Sequence, residues 1–198
     1  MTGYSDRINH ALAFAAKHHD QQVRKGTRSP YLTQPANVAI ILTRYACNED
    51  AVVAGILHDV VEDCLRDGWT DVMLAERIGE KFGHTMLAML RAVTERRADD
   101  DGIEMAAEDR KDDLLARMAD ASPDALWVGA ADAVHQVNAI LSDLRRTTFP
   151  ESVWARYPVG RDAMVRWYQR VASRMHEVGF TAPIVDELTA ATNQLAAL

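Results

Sequence analysis

The chain lacks most of what marks a secreted, fibrous or membrane-spanning protein. It has 2 cysteines, Cys47 and Cys64, in 198 residues. Both fall in apolar stretches that read as helical, so they are expected as packed, reduced thiols of a cytoplasmic protein, with no disulfide framework. No apolar run approaches the roughly 20 residues that cross a bilayer, and no basic-then-apolar leader opens the chain. Alternating runs bounded by turns are missing, so strands should be few or absent. There is no internal repeat and no low-complexity tract. Positive charge is also scarce: 22 Lys and Arg stand against 29 Asp and Glu, a net charge of −7. That balance argues against a nucleic-acid polymer as partner, since polymer binding leans on a basic surface. A small phosphorylated ligand held by a local basic loop stays possible, and no membrane partner is implied.

What is present is a core. Hydrophobic residues make up 48% of the chain, enough for a packed interior, and their spacing is helical almost throughout. Val38, Ile41, Leu42 and Tyr45 form one stripe; Val53, Ile56, Leu57 and Val60 form the next. Thr70 can cap a short helix carrying Met73, Leu74 and Ile78, which should stop at Gly79. A helix is expected from about residue 84 to 94. Ser122-Pro123, a cap followed by proline in the first turn, opens another that carries Val134, Val137, Leu141 and Leu144. Met164, Trp167, Tyr168, Val171 and Met175 mark a further helix, and Ile184, Leu188 and Leu195 a last one. Residues 21–35 and about 96–108 read as loops. The pattern predicts one all-α domain over residues 1–198.

The stretch His58-Asp59-Val60-Val61-Glu62-Asp63 closes an apolar helical run. Ionised side chains are costly to bury unless paired or metal-bound. On a helix His58 faces Glu62 and Asp59 faces Asp63, each pair four residues apart. One turn thus offers a His-Asp pair able to grip a cation, and the next a Glu-Asp pair able to handle a proton. That is the equipment of metal-assisted hydrolysis.

Taken in order, Ala13-Phe14-Ala15-Ala16-x-x-His19, Gln22-x-Arg24-Lys25-Gly26, Pro30-Tyr31-x-x-x-Pro35 and the HD run resemble the HD-domain hydrolases of the RelA/SpoT homologue group. The small alarmone hydrolases are the most similar. Phe82-Gly83, Val93-Thr94-Glu95, Arg110-Lys111, Ala131-Asp132-x-x-His135 and Trp167-Tyr168 extend the resemblance from about residue 8 to residue 196. It implies an HD-domain helical bundle around a single metal site, with one divalent ion, usually manganese. The implied activity is removal of the 3′-pyrophosphate from guanosine alarmones, (p)ppGpp.

Carried onto this chain, the resemblance gives His58, Asp59 and Asp132 as metal ligands. Asp132 sits among alanines, where a lone acid wants a cation. Glu62 and Asp63 become the catalytic pair, orienting a metal-bound water and accepting its proton. Arg24 and Lys25 meet the nucleotide, arginine by stacking and forking onto phosphate, lysine as a point charge. Tyr31 would pack on the same nucleotide or pin the loop to the core. His135 and Gln136, in the distal motif, complete the expected substrate contacts.

The departures matter as much. Gln34, just before Pro35 and 24 residues before His58, stands where the family has its first metal-binding histidine. An amide oxygen is a weaker ligand than an imidazole nitrogen, so the ion should be held less tightly, as manganese or as magnesium. Gly129, Ala133 and Gln136 replace the family's lysine, arginine and asparagine around Asp132, which removes two positive charges. The expectation is a metal-dependent phosphohydrolase of a small nucleotide. The alternatives are a different phosphorylated nucleotide as substrate, or a sensor that binds without turnover.

Overall fold

Ten helices follow one another, and no strand forms among the described residues. The computed structural model describes residues 4–24, 26–66, 69–99 and 101–198, without the side chains of residues 62–66, 71, 74 and 75. The helices are α1 (Asp6–His18), α2 (Thr33–Arg44), α3 (Glu49–Arg66), α4 (Asp71–Phe82), α5 (His84–Val93), α6 (Ala107–Arg117), α7 (Pro123–Arg145), α8 (Pro150–Trp154), α9 (Gly160–Glu177) and α10 (Pro183–Ala197). None is long and apolar enough, over the described residues, to cross a membrane.

Local chemistry sets several of the ends. The hydroxyls of Ser5, Thr70 and Ser122 accept from the backbone N–H groups of Ile8, Met73 and Ala125, satisfying donors that a helix start leaves open. Pro123 follows its cap, where its missing N–H costs nothing. The α4 helix runs past Gly79 to Phe82 and stops at Gly83, whose φ of 93° suits glycine alone. Gly79 stays helical and packs against the ring of His84, so packing outweighs its weak helix preference.

Other departures from the sequence reading are small. The first loop ends at Thr33 and carries a lone antiparallel bridge between Val23 and Pro30. The second ends where α6 begins, at Ala107. The short α8 has too few apolar positions to show a period. Cys47 lies in the turn between α2 and α3 rather than in a helix, as a free, half-buried thiol.

The α3 and α7 helices form the middle. The former packs on α1, α2, α5 and α7, and the latter on α2, α3, α5, α9 and α10. Val53, Ile56, Leu57 and Val60 on α3 and Val128, Val137 and Leu141 on α7 are fully buried. Each such side chain contributes roughly 1.5–3 kcal/mol of burial. Gly55 lets α2 come close: a Cβ there would lie 2.5 Å from Leu42 Cδ1 and 3.2 Å from Val38 Cγ1.

Candidate metal centre and adjoining cleft

The apolar face of α3 leaves its last buried turn to carry a histidine inward. His58 is 6% exposed. Its Nδ1 lies 2.8 Å from the Gly55 carbonyl, which accepts from it and fixes the ring. The other nitrogen, Nε2, is then aimed at two acids: 3.3 Å from Asp59 Oδ1 and 3.5 Å from Asp132 Oδ1. Neither His58 Nε2 nor Asp132 Oδ1 has a hydrogen-bond partner among the described residues, although both are buried.

Electrostatics agree with that geometry. Burial alone would lower the His58 pKa, but Asp59 and Asp132 overturn it and push the imidazole up to about 10. Burial would likewise raise the Asp132 carboxyl, yet His58 and Gln136 hold it below the usual carboxylate range. The two acids thus demand a positive charge at Nε2, whether a proton or a metal ion.

The residues fit a divalent ion. Donors each about 2.1 Å from one ion stand about 3.0–3.4 Å apart for bond angles between square and tetrahedral. His58 Nε2 and Asp59 Oδ1, 3.3 Å apart, fall in that range, and His58 Nε2 and Asp132 Oδ1, at 3.5 Å, lie just beyond it. Among the described residues no group of three or more His, Cys, Asp or Glu is placed to hold a metal ion as it stands.

Asp132 owes its orientation to two neighbours. The Gln136 amide, one turn along α7, donates to Asp132 Oδ2 at 2.7 Å. The Tyr168 hydroxyl on α9 donates to Gln136 Oε1 at 2.8 Å. Oδ1 is thereby left facing His58 Nε2. Gln136, expected at the substrate, is occupied with Asp132 on one side and the fully buried Tyr168 on the other. A cavity of about 150 Å³ adjoins this group, with Asp59, Asp132, Gln136, Gly129, Trp167 and Tyr168 in its wall and, among the described residues, no lysine or arginine.

The other side of α7 differs. His135 is 8% exposed and lines a cleft of about 490 Å³ with Arg24, Asn138, Ser142, Arg146 and Tyr157. Burial pushes its pKa down to about 4; Arg24 and His58 add to that, against Asp132, so the ring is neutral. Arg24 makes no hydrogen bond or ion pair through its guanidinium among the described residues, so its donors are available to a ligand. Tyr31 packs its ring 4.9 Å from that of His19 at the base of the loop. It is not in the wall of the cleft.

Gln34 lies half-buried in the first turn of α2. Val38 sits opposite Gly55, and the α2–α3 connection is short. Gln34 lies one turn farther from that connection than Val38, and His58 and Asp59 one turn farther than Gly55. The two helices therefore bring position 34 level with the HD pair. Lys25 lies outside the described residues, as do the side chains of Glu62 and Asp63; the backbone carries those two acids along α3 into the turn after the ligand pair.

The sequence reading missed the Tyr168–Gln136–Asp132 chain and the polar floor beneath it. Thr94 donates to the Leu90 carbonyl at 2.8 Å, and its own carbonyl accepts from Arg117 at 2.9 Å. The four-residue spacing of Asp132 and Gln136 was a usable signal for the first.

Known proteins resemble this chain in sequence and fold. An HD domain model matches residues 11–151. The human guanosine-3′,5′-bis(diphosphate) 3′-pyrophosphohydrolase MESH1 is 37% identical over 162 residues, 80% of each chain. The solved structure of a metazoan SpoT ortholog, described as hydrolysing ppGpp, superposes with a TM-score of 0.74 at 26% identity over the full length of both. A protein of Listeria monocytogenes EGD-e superposes at 0.65 with 25% identity, over 82% of this chain and 97% of its own. The match to the Aquifex aeolicus 3′-pyrophosphohydrolase, 34% identical, spans 46% of this chain but only 12% of that longer enzyme. With the site and these likenesses together, the chain belongs to the HD-domain family of metal-dependent hydrolases, in the group of the MESH1 3′-pyrophosphohydrolases.

Proposed function

We propose that the protein removes the 3′-pyrophosphate from guanosine-3′,5′-bis(diphosphate) or a close nucleotide, using one divalent ion, manganese in the first instance. The observation that carries this reading is the meeting of His58 Nε2 and Asp132 Oδ1, buried, without hydrogen-bond partners and beside Asp59. His58, Asp59 and Asp132 would hold the ion, with Gln34 or a water in the remaining position. When bound, the ion supplies a Lewis acid and lowers the pKa of a coordinated water.

The chain's own groups do the rest. Glu62 and Asp63, one turn beyond the ligands, orient the attacking water and take its proton. Arg24, Lys25 and the neutral His135 place the nucleotide in the cleft, with Gln136 behind the metal ligand. A contiguous core from Ile8 to Leu195 supports reading residues 1–198 as one domain. Scarce cysteine supports a reducing, cytoplasmic setting, and the acidic charge supports a small ligand over a polymer.

One observation favours a second substrate of lower charge: among the described residues, the 150 Å³ cavity beside the ligands has no lysine or arginine in its wall. Turnover of a nucleotide panel with added manganese tests both. Release of pyrophosphate from the bis(diphosphate) at the highest kcat/KM supports the first reading. Preference for a nucleotide with fewer phosphates supports the second. Binding of a nucleotide with no turnover of any would make the protein a sensor.

A further inference from the structure

The loop that carries Arg24 is held by its own hydrogen bonds and, at Gly26, by a side chain from a distant part of the chain. At the base, the Tyr31 N–H donates to the Gln22 carbonyl at 3.0 Å, the Arg24 N–H donates to the Ser29 carbonyl at 2.9 Å, and the His19 and Tyr31 rings pack together. Nearer the tip the Arg28 N–H donates to the Arg24 carbonyl at 3.0 Å, and the chain turns with φ of 89° at Gly26 and 55° at Arg28.

What meets the tip is Arg156. Its guanidinium atoms lie 2.2–2.5 Å from where a Cβ on Gly26 would be, so the group rests against the glycine and only a residue without a side chain leaves room for it. The same guanidinium donates from Nη1 to Asp143 Oδ2 at 2.6 Å, both side chains being about one-fifth exposed. Asp143 belongs to α7, which also carries Asp132 and His135. Arg156 itself is presented by a turn at the end of α8: its N–H donates to the carbonyl of Val153, which is fully buried. Its charge is thus spent on Asp143, whereas Arg24 keeps its donors for the cleft.

We infer that Arg156, clamped by Asp143 and seated on Gly26, is the positioning residue that fixes the Arg24 loop at a set distance from the metal-bearing face of α7. A nucleotide gripped by Arg24 is then delivered in register with His58, Asp59 and Asp132. A planar guanidinium can pair with a carboxylate through one nitrogen and still rest on a backbone, which a compact ammonium does less well. This assignment rests on the proposed role of the cleft as the nucleotide site.

The test uses the full chain with manganese. Arg156→Leu and Asp143→Asn should each raise KM for the bis(diphosphate) about 10-fold, a typical scale for misplacing a substrate-gripping element. Turnover and manganese affinity should change much less. The Arg156→Leu/Asp143→Asn pair should cost no more than either single change, because both break one contact. Arg156→Lys should recover only part of the loss. Hydrogen exchange gives a readout independent of any substrate: the amides of residues 22–31 should exchange faster in Arg156→Leu, with α7 and α9 unchanged. Unchanged exchange in that loop would overturn the clamp, whatever the enzyme turns over. Faster exchange in a protein that hydrolyses nothing would keep the clamp and remove the functional reading. An additive double variant, or an equal loss of manganese affinity, would also overturn it.

Discussion

His58 and His135 are the same residue, buried to nearly the same degree, and they end up on opposite sides of neutrality. Two carboxylates drive the first imidazole up to about 10, while burial and the nearby Arg24 drive the second down to about 4. Asp132 touches both fields: it pairs with His58 and opposes the lowering of His135. One face of α7 therefore calls for a cation, and the next offers an uncharged ring to a ligand. Burial lowers both imidazoles, and it prevails at His135 because no carboxylate pair stands against it there. The charges within a few ångströms decide the outcome.

The comparison can be broken from the metal side first. Glu62→Gln or Asp63→Asn should cut turnover about 10²–10⁴-fold, the usual cost of losing a general base. Calorimetric manganese titration should show the ion still bound. Loss of binding instead would make either acid a ligand.

Two glutamines then sharpen it in opposite directions. Gln136→Leu leaves the Asp132 carboxylate without its donor and Tyr168 without its acceptor. Manganese affinity should fall about 10–100-fold, as for other outer-shell partners of metal ligands. Gln34→His should restore an imidazole beside the ion and tighten binding about 10-fold. If Gln34→His binds no tighter, position 34 does not face the site.

The smallest effect is on the other face. Arg24→Ala should raise KM several-fold, on the order of one charge-assisted contact, with kcat and manganese affinity nearly unchanged. A steady-state comparison across manganese concentrations separates the two faces. If KM and metal affinity moved together, the cleft and the metal centre would be one site.

Much of this was legible from the residues. The α3 and α7 stripes, the Ser122-Pro123 start and the HD pair stand out because period, capping and motif are local. Gly79 misled because a glycine's weak helix preference is visible in sequence and its packing against His84 is not. Cys47 sits among apolar residues but in a turn, since the α2–α3 hairpin needs one there. The short α8 escaped notice because five residues, Pro150–Trp154, hold no period. Arg156 could not be seen at all. Its partner Gly26 lies 130 positions earlier in the chain, and only the tertiary fold brings them together.

The Tyr168–Gln136–Asp132 chain ties the acid beside His58 to the far end of the sequence. Tyr168 belongs to α9, which packs on both α7 and α10, so the docking of α9 and the aim of Asp132 share one set of hydrogen bonds. A ligand that favours the docked arrangement stabilises it by mass action, and the docked arrangement favours the ligand in equal measure. Manganese would then act as a fastener for α9 as well as a reagent, and fraying of that helix would be felt as a loosened ion.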